Sequence, residues 1–159
     1  MKLLLDSSVF LKLLLDEPGA EKAQEILENI EECKVCGYVT PLILEEVAFK
    51  LVFAKASEQL KTRNIWRIRE SLKFDEKLRS TCIEELEKFS RYIEYMLTKG
   101  LRAEYVTYDD WKTSIEVARK YGLLPADALH VAVAMRIGAN AIASFDENFK
   151  RVKEVKTVP

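Results

Sequence analysis

Short apolar runs alternate along this chain with segments in which apolar residues recur every three or four positions. The runs predict buried strands, and the periodic segments predict amphipathic helices that pack on them. The predicted strands cover residues 3–5, 35–39, 103–107 and 141–143, with an edge strand within 152–158. Because strands and helices alternate, the pattern predicts an α/β fold, a parallel β-sheet flanked by helices on both faces.

The middle of the chain, from about residue 55 to residue 100, carries no strand signal. Its apolar positions, such as Ile65 and Ile68, keep helical spacing. We therefore expect a helical arm or hairpin inserted between the second and third strands. Elsewhere, Pro41 suits the first turn of a helix, and Gly138 suits the position just beyond a helix end.

Length and composition fit one domain over residues 1–159. Hydrophobic residues make up 48% of the chain, enough for a substantial core, and charged residues make up 32%. The formal net charge of −1 gives no general attraction to a polyanion, so RNA binding would depend on local patches or metal. The apolar N-terminus is interrupted by Asp6, Lys12 and Asp16, which argues against a signal peptide and a membrane helix. We expect a cytoplasmic protein.

Four acidic residues occupy positions that a parallel sheet brings together. Asp6 and Asp146 directly follow predicted strands. Glu46 and Asp127 lie in the first two turns of helices that begin at the same edge. Carboxylates that meet in one cleft repel each other unless cations are bound, and their oxygens suit Mg²⁺ or Mn²⁺. Such a site, with one or two ions, is suited to hydrolysing phosphodiester bonds.

Each acid also has a purely structural interpretation. Asp6 could cap a helix, Asp127 could interact with a helix dipole, and Asp146 could belong to a turn. Glu45 competes with Glu46 for the position in the site. The partly apolar surroundings of Glu46 on its helix make a solvated role less suitable for it, so Glu46 is our candidate.

Three serines lie close to these acids in the sequence. Ser7 and Ser8 follow the first acid, and Ser144 precedes the last by two residues. Their hydroxyls could hold a ligand carboxylate in place, or they could simply cap local turns. The single histidine, His130, falls on an apolar helix face, which favours a core or supporting position over a general base.

The chain resembles the PIN-domain ribonucleases, in particular the small VapC-like toxins of prokaryotic toxin–antitoxin pairs. The resemblance covers nearly the whole chain and rests on the segments at 5–9, 127–134 and 144–146. It implies a parallel sheet flanked by helices, a homodimer, an RNA substrate and an antitoxin whose tail blocks the cleft. It also implies metal-dependent catalysis by four residues: Asp6, Glu46, Asp127 and Asp146. The competing interpretation is a non-catalytic PIN-like module that binds protein or RNA.

A basic stretch within the predicted arm has two interpretations. Lys61, Arg63, Arg67 and Arg69 surround Trp66. The charges could bind RNA phosphates while the indole stacks on a base. Alternatively, they form a solvated helix face beside a core tryptophan.

The cysteines also leave more than one interpretation open. Cys33 and Cys36 have the CxxC spacing of zinc and redox sites, and a local disulfide between them is a further alternative. A structural zinc site needs about four ligands, and only Cys82 and His130 could complete one here. The simpler interpretation places Cys36 at the start of the second strand as a small core residue.

Overall fold

The computed structural model describes residues 1–159 and contains a five-stranded sheet, seven α-helices and a short 3-10 helix over Glu147–Arg151. The strands are β1 (Lys2–Leu5), β2 (Cys36–Val39), β3 (Leu101–Ala103), β4 (Ala141–Ala143) and β5 (Lys156–Val158). The helices are α1 (Ser7–Leu14), α2 (Ala20–Glu31), α3 (Pro41–Leu60), α4 (Ile65–Phe74), α5 (Glu76–Leu97), α6 (Tyr108–Tyr121) and α7 (Pro125–Arg136).

Every strand pair in the sheet is parallel, and the strands lie in the order β3-β2-β1-β4-β5. The central strand is β1, where Leu4 pairs with Tyr38 of β2 on one side and Ile142 of β4 on the other. Leu3 and Leu5 are buried like Leu4, as an unbroken apolar run predicts for a strand covered on both faces. The predicted parallel α/β fold is confirmed.

The direction of winding reverses at β1. The chain runs outward through β2 to β3, then returns to β4 and β5 on the other side of β1. With right-handed crossovers, α1, α2, α3 and α5 lie on one face of the sheet and α6 and α7 on the other, while α4 packs on α3 and α5. The carboxyl ends of β1 and β4 therefore form a topological switch point, where ligands of such sheets usually bind.

Two apolar clusters stabilise the fold. The larger one surrounds the sheet and includes Phe10 and Phe89, whose rings meet edge to face with centroids 5.7 Å apart. The smaller one lies where the end of α3, the whole of α4 and the start of α5 pack together. We call this part, residues 52–82, the arm; its buried residues are Ala56, Ile68, Leu78 and Cys82. The predicted helical insertion is present, but the second half of α5 belongs to the main core.

The third strand was predicted at 103–107, and this position is wrong. β3 begins two residues earlier because Gly100 passes next to α2: a Cβ there would lie 2.2 Å from the carbonyl oxygen of Ile30. At its other end, the chain leaves the sheet to start α6. Thr107 caps that helix by accepting a hydrogen bond from the backbone N–H of Asp110. The residues before Thr107 were predicted as strand from their apolar character, but they leave the sheet so that Thr107 can cap α6.

Helix boundaries follow local signals in the sequence. Thr40 caps α3, and Pro41 is the first residue of that helix, as predicted. Gly138, with φ of +63°, follows the end of α7, as predicted. None of the helices combines the length and the apolar composition needed to cross a membrane.

Candidate active site

Asp6 follows β1 and is buried at the carboxyl edge of the sheet. Its Oδ2 accepts hydrogen bonds from the Ser8 backbone N–H at 3.2 Å, the Ser8 hydroxyl at 2.5 Å and the Ser144 hydroxyl at 2.9 Å. All three donors reach the same oxygen, so Oδ1 stays available for another partner. Asp6 is therefore the N-cap of α1 and, at the same time, offers one free carboxylate oxygen.

Ser8 and Ser144 connect the two segments that leave the sheet at the switch point. The backbone N–H of Phe145 donates to Ser8 Oγ at 3.0 Å, and that of Asp146 donates to Ser144 Oγ at 3.0 Å. The two hydroxyls thereby orient Asp6 and fix the chain after β4. Ser7 is buried as well and lies beside Glu46.

Glu46 lies in the second turn of α3 and faces His130 of α7. The His130 Nε2 is 3.4 Å from the Glu46 carboxylate, a long hydrogen bond between the two helices. One ligand atom each from Asp6, Glu46 and His130 lie within 4.8 Å of one another. The competing Glu45 is exposed, so the fold brings Glu46, not its neighbour, to the site.

The environment of Glu46 favours its ionised form. Burial alone would raise the pKa of this carboxyl, but the His130 and Ser7 side chains together hold its pKa below the ordinary value. Lys50, one turn further along α3, contributes in the same direction. Glu46 is therefore a carboxylate at neutral pH and can act as an anionic ligand.

Asp127 lies in the first turn of α7, three residues before His130 on the same helix face. Burial raises the pKa of Asp127 above its ordinary value, and the charges of neighbouring carboxylates raise it further. These neighbours are Asp146, Asp6 and Glu46. Asp127 is therefore close enough to these three acids for their charges to act on it.

Asp146 follows β4 and has a structural interaction of its own. Its Oδ1 accepts a hydrogen bond from the Asn148 backbone N–H at 2.8 Å and so caps the 3-10 helix. The same residue lines an open cavity together with Ser8. Asp146 is therefore a turn residue that also borders the site, whereas the tightest group comprises Asp6, Glu46 and His130.

The donor set fits a hard divalent cation. Asp6 and Glu46 offer carboxylate oxygens within a partly buried pocket, and such oxygens are the ligands that Mg²⁺ and Mn²⁺ prefer. The distance from His130 to Glu46 suits a histidine that orients a ligand carboxylate. Cys33, Cys36 and Cys82 are free thiols outside this group, so the CxxC pair contributes no donor to it.

His130 is the member of the compact group that the sequence does not single out as a ligand. The available signal was its position three residues after Asp127, which places both side chains on one face of α7. Its contact with Glu46 joins residues 84 positions apart in the chain. The apolar surroundings of His130 in the sequence indicated its burial correctly, and it is 1% exposed.

The basic stretch of the arm is solvent-exposed. Lys61, Arg63, Arg67 and Arg69 are all exposed, and Trp66 is 73% exposed, so the expectation of a core tryptophan is wrong. The Arg69 guanidinium lies 5.5 Å from the centroid of the indole ring. Contact of this surface with RNA stays a prediction.

Comparison with known proteins identifies the family. The PIN domain family matches residues 3–155, and the chain belongs to this family. Ribonuclease VapC2 of Methanocaldococcus jannaschii is 30% identical over 151 residues, which cover 95% of this chain and 89% of that protein. Ribonuclease VapC6 of the same organism is 27% identical over 155 residues, which cover 97% of this chain and 94% of that protein.

A solved structure has the same fold. A toxin–antitoxin complex from Klebsiella pneumoniae contains a chain that superposes with a TM-score of 0.61 at 13% sequence identity. The match covers 99% of this chain and 96% of the other. The PIN-like sheet and its helices are therefore shared, despite little similarity in sequence.

Proposed function

We propose that this protein is an endoribonuclease that hydrolyses RNA phosphodiester bonds with Mg²⁺ or Mn²⁺, as the toxin of a toxin–antitoxin pair. The observation that carries the proposal is the compact group of Asp6, Glu46 and His130 at the carboxyl edge of the sheet, with Asp127 close enough to these acids and to Asp146 to be influenced by their charges. Membership of the PIN domain family and similarity to two proteins named ribonucleases support the same activity.

Asp6 and Glu46 are the proposed primary ligands, through Asp6 Oδ1 and the Glu46 carboxylate. A bound divalent cation supplies positive charge that polarises phosphoryl oxygens and makes water more acidic. Ser8 and Ser144 hold Asp6 in place by their hydrogen bonds, and His130 holds Glu46. The ligand carboxylates thus need little rearrangement when the ion and the RNA bind.

Asp127 and Asp146 are the proposed remaining catalytic and metal-binding carboxylates. Burial and the neighbouring carboxylates raise the pKa of Asp127 in the metal-free protein, and a divalent cation bound between these groups would relieve that repulsion. Asp146 adds negative charge on the side of the site that borders the open cavity.

Two protein partners belong to the proposal. The similar Klebsiella pneumoniae chain comes from a toxin–antitoxin complex, which motivates an antitoxin that blocks the acidic cleft. Exposed apolar side chains on the arm motivate a homodimer: Ile65, Trp66 and Phe74 are all exposed.

A cleavage assay with the purified protein tests the activity. We expect mixed RNA to be cut in the presence of Mn²⁺ or Mg²⁺, and EDTA to stop the cutting. Asp6→Asn should abolish cleavage, because it removes a ligand charge, whereas Glu45→Gln changes an exposed neighbour of the site and should cleave normally. Intact RNA at high protein concentration with metal would overturn the proposal and favour the non-catalytic binding module.

A further inference from the structure

An open cavity of about 460 Å³ lies directly beside the acidic site. Ser8 and Asp146, which belong to that site, contribute to its wall together with Lys12, Lys50 and Phe145. The volume is within the usual range of small-ligand sites, about 300 to 1,000 Å³. It is the place where a nucleotide next to the scissile phosphate could lie, if the protein cleaves RNA as proposed.

Lys50 is a free positive charge at this cavity. It is exposed and lies one helical turn after Glu46 on the same side of α3. No carboxylate lies within ion-pair distance of its ammonium group. Lys12, by contrast, is paired with Glu17 at 3.2 Å. Since the adjacent carboxylates repel RNA, an unpaired cation at this point would offset part of that repulsion.

Phe145 presents an aromatic ring beside this charge. Its backbone N–H donates to Ser8 Oγ at 3.0 Å, which fixes the residue at the end of β4. Phe145 is half-buried against the main core and also lines a second open cavity, so part of the side chain faces solvent. Gly19, at φ of +101°, lies against the ring, and a Cβ there would be 3.0 Å from Phe145 Cε1. The ring is therefore held in place and remains accessible for stacking.

We propose that Lys50 and Phe145 form a nucleotide subsite next to the acidic centre. Lys50 binds the phosphate adjacent to the scissile one, and Phe145 stacks on the base of that nucleotide. This arrangement rests on the proposed ribonuclease function and adds two residues that bind the RNA substrate. Stacking tolerates any base, because every base has a π face, but the base must be unpaired to stack. The subsite therefore favours single-stranded RNA and selects no particular sequence.

Binding measurements test the subsite separately from cleavage. The probe is a short fluorescein-labelled single-stranded RNA of random sequence, and Asp127→Asn is the background that prevents its cleavage. In that background, Lys50→Gln should weaken binding and reduce the slope of log affinity against log salt by about 0.7, the value for one phosphate contact. Phe145→Leu should weaken binding by about fivefold or more without changing the slope. Lys156→Gln is the matched control. Lys156 is exposed and begins β5, so it lies at the amino edge of the sheet, opposite the carboxyl edge that carries the acidic site.

Kinetics in the otherwise unchanged protein give a second readout. Lys50→Gln and Phe145→Leu should raise KM more than they lower kcat, and Lys50→Arg and Phe145→Trp should restore most of the affinity. The melting shift produced by Mn²⁺ should persist in both loss-of-contact variants, since neither residue is a proposed ligand. If the parent protein binds and cleaves RNA while both variants match Lys156→Gln, the subsite is wrong and the ribonuclease function stands. If the parent neither binds nor cleaves RNA, both proposals fail.

Discussion

At Asp127, burial and neighbouring negative charge act in the same direction. Both disfavour the carboxylate, so the pKa of this group lies above its ordinary value. A raised pKa in an acid means that the folded state binds its proton more tightly than the unfolded chain. Without metal, the ionised group therefore destabilises the fold at neutral pH, and the penalty is relieved as pH falls through the folded-state pKa.

Replacing Asp127 with Asn keeps the shape of the side chain and removes its charge. We expect the melting temperature of the metal-free protein to stay the same or rise. RNA cleavage should be lost, and the stabilisation by Mn²⁺ should shrink because bound ligand stabilises by mass action. Thermal melting with and without Mn²⁺, beside a cleavage assay, measures all three effects.

Glu45→Gln is the control for that experiment, because it removes one exposed carboxylate close to the site. It should leave melting, metal response and cleavage nearly unchanged. The contrary result is clear: if Asp127→Asn unfolds the protein while the metal response of the folded fraction persists, Asp127 is only a helix-terminal residue. The four-carboxylate assignment would then be wrong.

At the scale of elements, the position of α7 depends on a polar contact with α6. Arg136, at the end of α7, donates from Nε to both carboxylate oxygens of the buried Asp110, at 2.8 and 3.0 Å. It also donates to the carbonyl oxygen of Tyr105 at 2.7 Å. Asp110 completes a capping box with Thr107. This network holds the helix that carries Asp127 and His130.

Asp110→Asn should weaken this contact. We expect the free energy of unfolding at neutral pH to fall by about 2 kcal/mol, less than for a fully buried pair because Arg136 is partly exposed. Burial alone would raise the pKa of Asp110, but the hydrogen bonds from Arg136 and Thr107 hold it below its ordinary value. The stabilisation is therefore present above the unfolded-state pKa of about 3.9 and is lost as pH falls through the lower folded-state pKa.

Urea unfolding at neutral pH and at about pH 3 checks this prediction, because the difference between the two proteins should narrow in acid. Asp109→Asn is the matched control, since Asp109 lies in the same first turn but is 82% exposed in its pair with Lys112. If Asp110→Asn lost no more stability than Asp109→Asn at both pH values, the contact of Asp110 with Arg136 would not stabilise the fold.

At the scale of the whole molecule, the arm leaves large apolar side chains exposed, because only four of its residues are buried in its own core. Trp66 and Phe74 of α4 are 73% and 82% exposed. Exposed large apolar groups that lie together mark association surfaces, and two-fold pairing is the commonest way to bury them. We expect a homodimer with the arm at or near its interface.

Sedimentation at micromolar concentration measures the oligomeric state. Phe74→Ser should shift the protein toward monomer, because it removes apolar area from the interface. Trp111→Ser, on α6 and 51% exposed, is a comparable change away from the arm and should leave the dimer intact. A monomeric mass for the unchanged protein would rule out the dimer.

The sequence by itself determined the features that depend on local periodicity and chain direction. The apolar run of β1, Pro41 at the start of α3 and Gly138 beyond α7 lie where they were predicted. The meeting of Asp6 and Glu46 followed as well, because strands and the helices after them share one carboxyl edge in a parallel sheet. These features need only the pattern along one segment and the order of segments.

Only the tertiary structure decided which side chains meet across that edge. The pairing of His130 with Glu46 and of Ser144 with Asp6 joins residues 84 and 138 positions apart. The period of a helix or strand predicts which face is buried, but not how far neighbouring elements rotate and shift when they pack. The position of β3 was predicted wrongly for the same reason, because its start is set by the approach of Gly100 to α2.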